Sequence, residues 1–306
     1  MDSTATDRAA RAAVFEEHRQ RLFGLAYRLL GSATDAEDMV QSAYLRWHDA
    51  DWVDAPGPWL NKVVTNLCLN QLTSARARRE TYPGPWLPEP VLTESGALGP
   101  LETAEQRESV SLALLVLLER LTPAERAVFV LREAFDYPHR EIAEILDIDP
   151  AHSRQLHHRA RAHLRGRRNT YAASESQHRR MVVEFIAAAR SGDADRLRRL
   201  LADEVVSWID GGGATAARRP IEGRERVLRY LLGIRRRPEA TRITTAVAAV
   251  NGAPALLVFD DGALGAILTL ELDGDRVVAL RTIAAEDKLA FAAREFIGRE
   301  GSRHDR

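Results

Sequence analysis

Residues 121–168 read LTPAERAVFVLREAFDYPHREIAEILDIDPAHSRQLHHRARAHLRGRR, and their reading decides the fold of the middle of the chain. Thr122-Pro123 followed by Glu125 is a helix start. The hydroxyl can accept a free backbone N–H, proline suits the first helical position, and an acid in the first turn meets the macrodipole. Ala127, Val128, Val130 and Leu131 give this helix its buried face. A second short helix is predicted over 138–146, with Ile142, Ala143, Ile145 and Leu146 apolar, and Asp147-Ile148-Asp149-Pro150 closes it and starts a third. Two short helices joined by so tight a turn form the crossed pair that lets one helix enter a major groove. Between His152 and Arg168 stand six arginines, four histidines and no acid, within a chain of net charge −1. Alone, such a helix could be a solvated basic face; directly after a helix and a four-residue turn, it reads as phosphate-seeking.

His158-Arg159-Ala160-Arg161, Ile142-Ala143-Glu144-Ile145-Leu146 and Thr122-Pro123-Ala124-Glu125-Arg126 resemble region 4 of bacterial sigma factors of the extracytoplasmic-function type. The resemblance implies that the third helix reads the −35 promoter element. His152, Arg154 and Gln155 would face bases, and His158, Arg159, Arg161 and Arg165 would face phosphates. Ser153 stands where family members usually carry an apolar residue, which leaves the register of this helix open.

The 306 residues suggest two to three domains, and 45% hydrophobic with 28% charged residues describes an ordinary soluble protein. Cys68, the single cysteine, excludes an intramolecular disulfide and a cysteine-rich zinc site, and its place on an apolar helix side makes it a small core residue. The polar N-terminus is not a signal peptide, and the longest mainly apolar run, 110–118, is far too short to span a membrane. A cytoplasmic protein without membrane contact, metal or cofactor is expected.

A first domain is expected over 8–82. Phe15, Leu22, Phe23, Leu25, Ala26, Leu29 and Leu30 recur at helical spacing until Gly31. A second helix is predicted to begin at a Ser32–Asp35 cap, where Thr34 or Asp35 takes the free N–H groups, with Asp35, Glu37 and Asp38 favoured near its first turn on local grounds alone. Asp35-Ala36-Glu37-Asp38 leading to Leu45-Arg46-Trp47 also resembles sigma region 2, which implies polymerase contacts by Asp38, Gln41 and Arg46. A third helix, 59–79, is predicted to bury Leu60, Val63, Val64, Leu67, Cys68 and Leu72, leaving Asn61, Lys62, Asn66, Asn70 and Thr73 on other faces. Amides beside the basic end at Arg76, Arg78 and Arg79 suit strand binding. By resemblance this segment recognises the −10 element, with Lys62, Asn66, Asn70, Arg76 and Arg79 as DNA contacts and 49–58 as the reading loop.

Residues 83–101 are rich in proline and glycine and read as a linker. Within it, Trp86-Leu87-Pro88-Glu89-Pro90-Val91 favours an extended backbone and carries apolar side chains that are costly to leave in water. This segment is expected to dock, either on the third domain or on polymerase. A helix over 102–121, with Val110, Leu114, Leu115, Leu117 and Leu118 apolar, then begins the region 4 domain, 102–168.

A third domain is expected over 174–298. Helices over 175–191, 193–201 and 222–232, a strand at 205–210, and four strands near 241–250, 254–260, 264–272 and 275–283 are separated by Asn251-Gly252, Asp261-Gly262 and Asp273-Gly274, which are hairpin-turn pairs. The product is a curved antiparallel sheet with helices on one side, an α+β cone. This order resembles the SnoaL-like branch of the nuclear transport factor 2-like fold, whose apolar pocket leaves room for a small ligand. Catalysis is not expected. His178 is placed on an exposed helix face, His304 in a tail, and Asp210 and Asp260 sit at strand ends, so no catalytic residue is assigned. Asp210-Gly211-Gly212-Gly213 is not a phosphate loop, since no GK[ST] follows. It resembles a motif that faces the sigma domains in the subgroup with this extra domain, with Ala214 where lysine is common. Asp287-Lys288-Leu289 resembles a second such motif, with Ala285-Glu286 in place of Asn-Pro. Together with Trp86, Leu87 and Pro88, these residues are the expected regulatory set, acting through an intramolecular contact with the sigma domains or linker.

The expected architecture is therefore multidomain: two all-α sigma domains, then the α+β domain. The expected activity is promoter-specific initiation with core RNA polymerase and promoter DNA as partners. The alternatives are a ligand-sensing DNA-binding regulator without polymerase docking, and an enzyme fused to a DNA-binding arm.

Overall fold

The computed structural model describes residues 3–50, 53–80, 82–99, 101, 103–164, 175–213 and 219–304; the side chains of 3–7, 74–80, 104, 175, 238–239 and 298–304 lie outside the described set. The chain forms two compact units, one of Met1–Glu80 with Ser95–Arg168, the other of Thr81–Glu94 with Asn169–Arg306. The expected linker is thus shared: its first part belongs to the second unit and its end to the first.

The first unit is helical. α1 (Ser3–Leu30) ends where Gly31, at φ 67, donates its N–H to the Tyr27 carbonyl. α2 (Ala33–Asp49) is capped by Ser32, whose hydroxyl accepts from the Asp35 N–H, rather than by Thr34 or Asp35. α3 (Pro56–Glu80) buries Leu60, Val64, Cys68 and Leu72 as expected. Burial raises the Cys68 thiol pKa far above its usual range. The stripe on α3 also takes in Asn61 and Thr65, while Val63 and Leu67 are only partly covered. Asn61 was expected on a polar face; instead its Nδ2 donates to the Tyr137 hydroxyl at 2.6 Å.

The expected helix over 102–121 is two helices, α4 (Ala104–Glu108) and α5 (Leu112–Leu118). The break falls at Ser109-Val110-Ser111, where the Ser111 hydroxyl accepts from Leu114 N–H and Val110 is fully buried between the helices. α6 (Pro123–Phe135) starts with a reciprocal capping box between Thr122 and Glu125. α7 (His139–Leu146) and α8 (Pro150–Leu164) follow. α6 ends at Asp136 and α7 at Asp147, both left-handed at φ 57 and 55, a conformation that short polar side chains tolerate and β-branched ones do not. Arg126 is 1% exposed; its guanidinium reaches the Arg28 carbonyl through Nε and Nη2 and Glu119 at 2.5 Å through Nη1. Burial pulls its pKa down to about 9, and that of neighbouring Arg28 to about 10.

In the second unit, α9 (Glu175–Ser191), α10 (Ala194–Leu200) and α11 (Arg224–Arg235) pack on a six-stranded sheet ordered β2-β1-β6-β5-β4-β3. Its strands are β1 (Leu201–Asp210), β2 (Ile221–Glu222), β3 (Ile243–Val250), β4 (Ala253–Asp260), β5 (Ala263–Asp273) and β6 (Arg276–Ile283). β1 runs parallel to β6 and every other pair is antiparallel. Met181, Phe185, Leu197, Val227, Leu268 and Leu280 are among the core between helices and sheet, and α12 (Glu286–His304) closes the chain. Two of the three expected hairpin turns have both central residues at positive φ, Asn251-Gly252 and Asp261-Gly262. The third is shifted by one: Asp273 pairs with Arg276, so the loop is Gly274-Asp275 with Gly274 at φ 58.

Asp147→Val is expected to lower unfolding stability by about 1–2 kcal/mol through the left-handed penalty, and Asp147→Gly to leave it nearly unchanged. Urea unfolding of both variants checks this.

Candidate nucleic-acid interface and linker clamp

The sequence Pro150-Ala151-His152 starts α8 directly after the Asp147 turn, and its inward positions are Ser153, Leu156, Ala160 and Leu164. That register turns His152, Arg154, Gln155, His158, Arg159 and Arg161 outward, all exposed. Arg165 lies outside the described residues. The expected base-facing and phosphate-facing sets therefore share one solvent-facing surface. Only Arg159 among them approaches an acid within the described residues, Glu125 at 3.9 Å.

Ser153 is fully buried, and its hydroxyl lies 2.9 Å from His139 Nδ1 at the start of α7. The polar residue at an apolar position is therefore matched by a polar partner, and the pair fixes the register that sequence left open. His139 also sits 5.5 Å from the ring of His157, which is bonded to Glu133 at 2.8 Å. Burial lowers the His139 pKa below 6.5, and His157, Arg132 and Arg154 push it the same way.

On α2, Asp38 and Gln41 are exposed along one face and Arg46 beside it. Leu45, 59% exposed, shares the Asp38–Gln41 face and was missed by sequence reasoning, which treated it only as part of the matching motif. An apolar side chain left in water among polar ones at helical spacing was the signal available. On α3, Asn70 is exposed and Asn66 half-buried. Lys62 is exposed, but its ammonium donates to the Glu144 carbonyl of α7 at 2.7 Å. Arg76 and Arg79 lie on α3 with side chains outside the described set, and Asp51 and Trp52 of the 49–58 loop lie outside the described residues.

Most of the residues expected to be regulatory meet within the second unit. Asp210, at the end of β1, is fully buried. Its Oδ2 lies 2.6 Å from Lys288 Nζ and accepts the Leu87 N–H at 2.7 Å, while its Oδ1 accepts from the Tyr82 hydroxyl at 2.5 Å and from Gly212 N–H. Lys288 also donates to the Leu87 carbonyl at 2.7 Å, and its ammonium lies 4.5 Å from the Tyr82 ring centre and 4.4 Å from that of Trp86. A buried ion pair thus holds both polar backbone groups of Leu87. Burial lowers the Lys288 pKa, with Asp210 opposing, and raises that of the Tyr82 phenol, which stays protonated and so donates.

Gly212 and Gly213 have φ 63 and 87, and a Cβ on Gly213 would stand 2.7 Å from Pro83 Cγ. The glycine run is a shaped turn under the linker. Gly211 is partly covered beside it, and Ala214 lies outside the described residues. Leu289 is buried beside Lys288, while Asp287 points to solvent. Further along, Leu87, Pro88, Val91 and Leu92 are buried. The Val91 N–H donates to Asn251 Oδ1, its carbonyl accepts the Asn251 N–H, and Leu92 bridges to Val250 at the edge of β3. Of the two docking partners considered for Trp86–Val91, the third domain is the one it packs on here.

His178, expected on an exposed face, is half-buried with its ring bonded to the Leu270 backbone, and burial lowers its pKa. Among the described residues no carboxylate is hydrogen-bonded to it. Asp260 is exposed beside Arg242. No cluster of three or more metal-ligating side chains occurs among the described residues, and no described helix is long and apolar enough to cross a membrane.

The helical unit is that of a sigma-70-type transcription factor, as matches to two of its regions show. Residues 14–78 match the Sigma-70 region 2 family and residues 111–164 the Sigma-70, region 4 family. The chain is 42% identical over 223 residues to the ECF RNA polymerase sigma factor SigJ of Mycobacterium tuberculosis, covering 72% of each chain. It is 33% identical over 286 residues to the probable ECF RNA polymerase sigma factor SigI of that organism, covering 91% of this chain and 94% of that one. The crystal structure of M. tuberculosis SigJ superposes with a TM-score of 0.73 at 34% identity, over 92% of this chain and 98% of that one. The chain belongs to the extracytoplasmic-function RNA polymerase sigma factors.

Lys288→Met is expected to destabilise the second unit by about 3–5 kcal/mol, because Asp210 is left buried and unpaired, and Lys288→Met with Asp210→Leu to recover only part of that, because the Leu87 N–H and carbonyl then lose their partners. Urea unfolding followed by tryptophan fluorescence measures both. The depressed His139 pKa carries a sign. Below about pH 6.5 the unfolded chain takes up a proton that native His139 refuses, so stability falls with pH until the folded pKa is reached. His139→Gln should flatten that part of the stability profile.

Proposed function

We propose that the chain, in the cytoplasm, joins core RNA polymerase to promoters. The α8 face reads the −35 element, α3 and the loop before it the −10 element, and α2 docks on polymerase through Asp38, Gln41 and Arg46. The observation that carries this is the exposed α8 surface, where His152, Arg154 and Gln155 precede His158, Arg159 and Arg161 on an acid-free helix. A bidentate arginine contact to a base edge is worth about 1–3 kcal/mol of discrimination. Lys62 is engaged by the Glu144 carbonyl, so it reaches DNA only when α7 moves off α3. The third domain acts in cis, not as an enzyme: through Asp210 and Lys288 it holds the segment that joins the two sigma regions.

Transcription in vitro with purified core polymerase tests the reading. Arg154→Ala is expected to relax preference at one −35 base pair, whereas Arg161→Ala should weaken all promoters alike and reduce the salt slope of binding by about 1. Trp86→Ala should change the initiation rate; an unchanged rate would remove the cis-acting role. If the wild-type chain directs no promoter-specific start, the whole reading falls.

A further inference from the structure

One face of α11 is used neither by the core of its domain nor by the linker clamp. Arg226, Arg229, Arg236 and Arg237 are all exposed, and at 3.6 residues per turn they fall within an arc of about 100° with Gly233 near its middle. The turn continues past the helix end, where Arg236 and Arg237 donate their N–H groups to the Gly233 and Ile234 carbonyls. The opposite side holds Val227 and Leu228 in the core.

The other charges of the helix are committed elsewhere. Arg224 donates to the Leu201 carbonyl and pairs with Asp203, and Arg235 donates to the Arg190 carbonyl. Glu225, the single acid between 224 and 237, sits at the edge of the arc and pairs with Arg198 at 2.9 Å. Among the described residues none of the four stripe arginines is ion-paired.

Two features resist a purely structural account. Cations in a last helical turn are favoured by the macrodipole, which accommodates Arg236, but Arg226 lies in the first turn, where a cation is disfavoured. Gly233 sits inside the helix at a cost relative to alanine. It does not need a positive φ, and a Cβ there would meet nothing within 4 Å. Its missing side chain leaves a gap between guanidinium groups through which a backbone anion can approach the helix.

We propose that this stripe is a second phosphate-contacting surface, taken by the duplex promoter DNA that region 4 reads; the proposal rests on the promoter reading above. From Arg226 to Arg237 the rise is about 16 Å, a length over which one DNA strand offers four to five phosphates, about 3.4 Å apart along the axis. The arc contains no apolar side chain to enter a membrane surface and no aromatic anchor of the kind that centres a protein interface.

The test uses the full chain with core polymerase on a promoter duplex, measuring affinity from 50 to 200 mM salt. Arg226→Gln, Arg229→Gln, Arg236→Gln and Arg237→Gln combined keep helix propensity and should make the log–log salt slope shallower by about 3 to 4, since each phosphate contact contributes about 0.9. Gly233→Glu alone should weaken promoter binding several-fold without lowering the thermal midpoint, so the outcome does not hang on how four substitutions fold. Wild-type binding with unchanged slope and affinity in both variants overturns the stripe and leaves the promoter reading intact. No wild-type promoter complex at all overturns both. Loss of affinity for core polymerase alone, or for phosphatidylserine vesicles, with promoter affinity unchanged, assigns the arginines to another anion and overturns the DNA proposal.

Discussion

A buried carboxylate governs the second unit. Asp210 has no exposed surface, and a charge there is tolerable only because an ammonium, a phenol and two backbone N–H groups surround it. Those donors come from the turn directly after β1 and from two remote parts of the chain, the linker at 82–87 and the start of α12. The Asp210 carbonyl also accepts the N–H groups of Ala284 and Ala285, which sets the corner between β6 and α12. Satisfying one acid therefore requires the linker to lie where it does. The burial of Leu87, Val91 and Leu92 adds roughly 1.5–3 kcal/mol for each side chain.

The first unit solves a similar problem with arginine. Arg126 and Arg28 are both buried, and the Arg28 backbone carbonyl accepts from the Arg126 guanidinium. Arg28 Nε in turn donates to Ser109 at the break between α4 and α5. Arginine presents five donors in a planar fork, so it can satisfy several carbonyls at once and stay charged. Region 4 is thereby packed against region 2 by polar contacts as well as apolar ones. Asn61 with Tyr137, and Lys62 with Glu144, extend the same seam along α3. Polar seams of this kind can be exchanged for water or phosphate at less cost than a continuous apolar core, which suits two regions that must each meet DNA.

Ser153 shows how a departure from a pattern is absorbed. A hydroxyl in an apolar position would cost about 1–3 kcal/mol if unpaired. His139, fourteen residues earlier, supplies the partner, and the recognition helix keeps its inward face. Beyond the pairing itself, the arrangement leaves the neighbouring helix positions pointing outward, so the reading surface owes its orientation to a contact underneath it.

Most of the helices and strands were legible because local chemistry sets them. The Thr122-Pro123-Glu125 start, the Gly31 stop and the Asn251-Gly252 and Asp261-Gly262 turns depend on residues within a few positions of one another, as do the exposed basic residues of α8, which follow from helical spacing. The elements that escaped were those in which a distant partner decides. Asn61 looks like a surface amide until Tyr137 receives it, and His178 like a surface histidine until the sheet at Leu270 covers it. The break in 102–121 follows from the burial of Val110. The motifs around Trp86, Asp210 and Lys288 could each be marked in the sequence, but no spacing rule joins residues 123 and 201 positions apart. By itself the sequence determined the two helical regions, their basic reading helix and an α+β domain, because periodicity and turn chemistry are local. Only the tertiary structure decided that Asp210 and Lys288 meet around Leu87, because the energy of burying a charge is set by whatever the fold brings within hydrogen-bond reach.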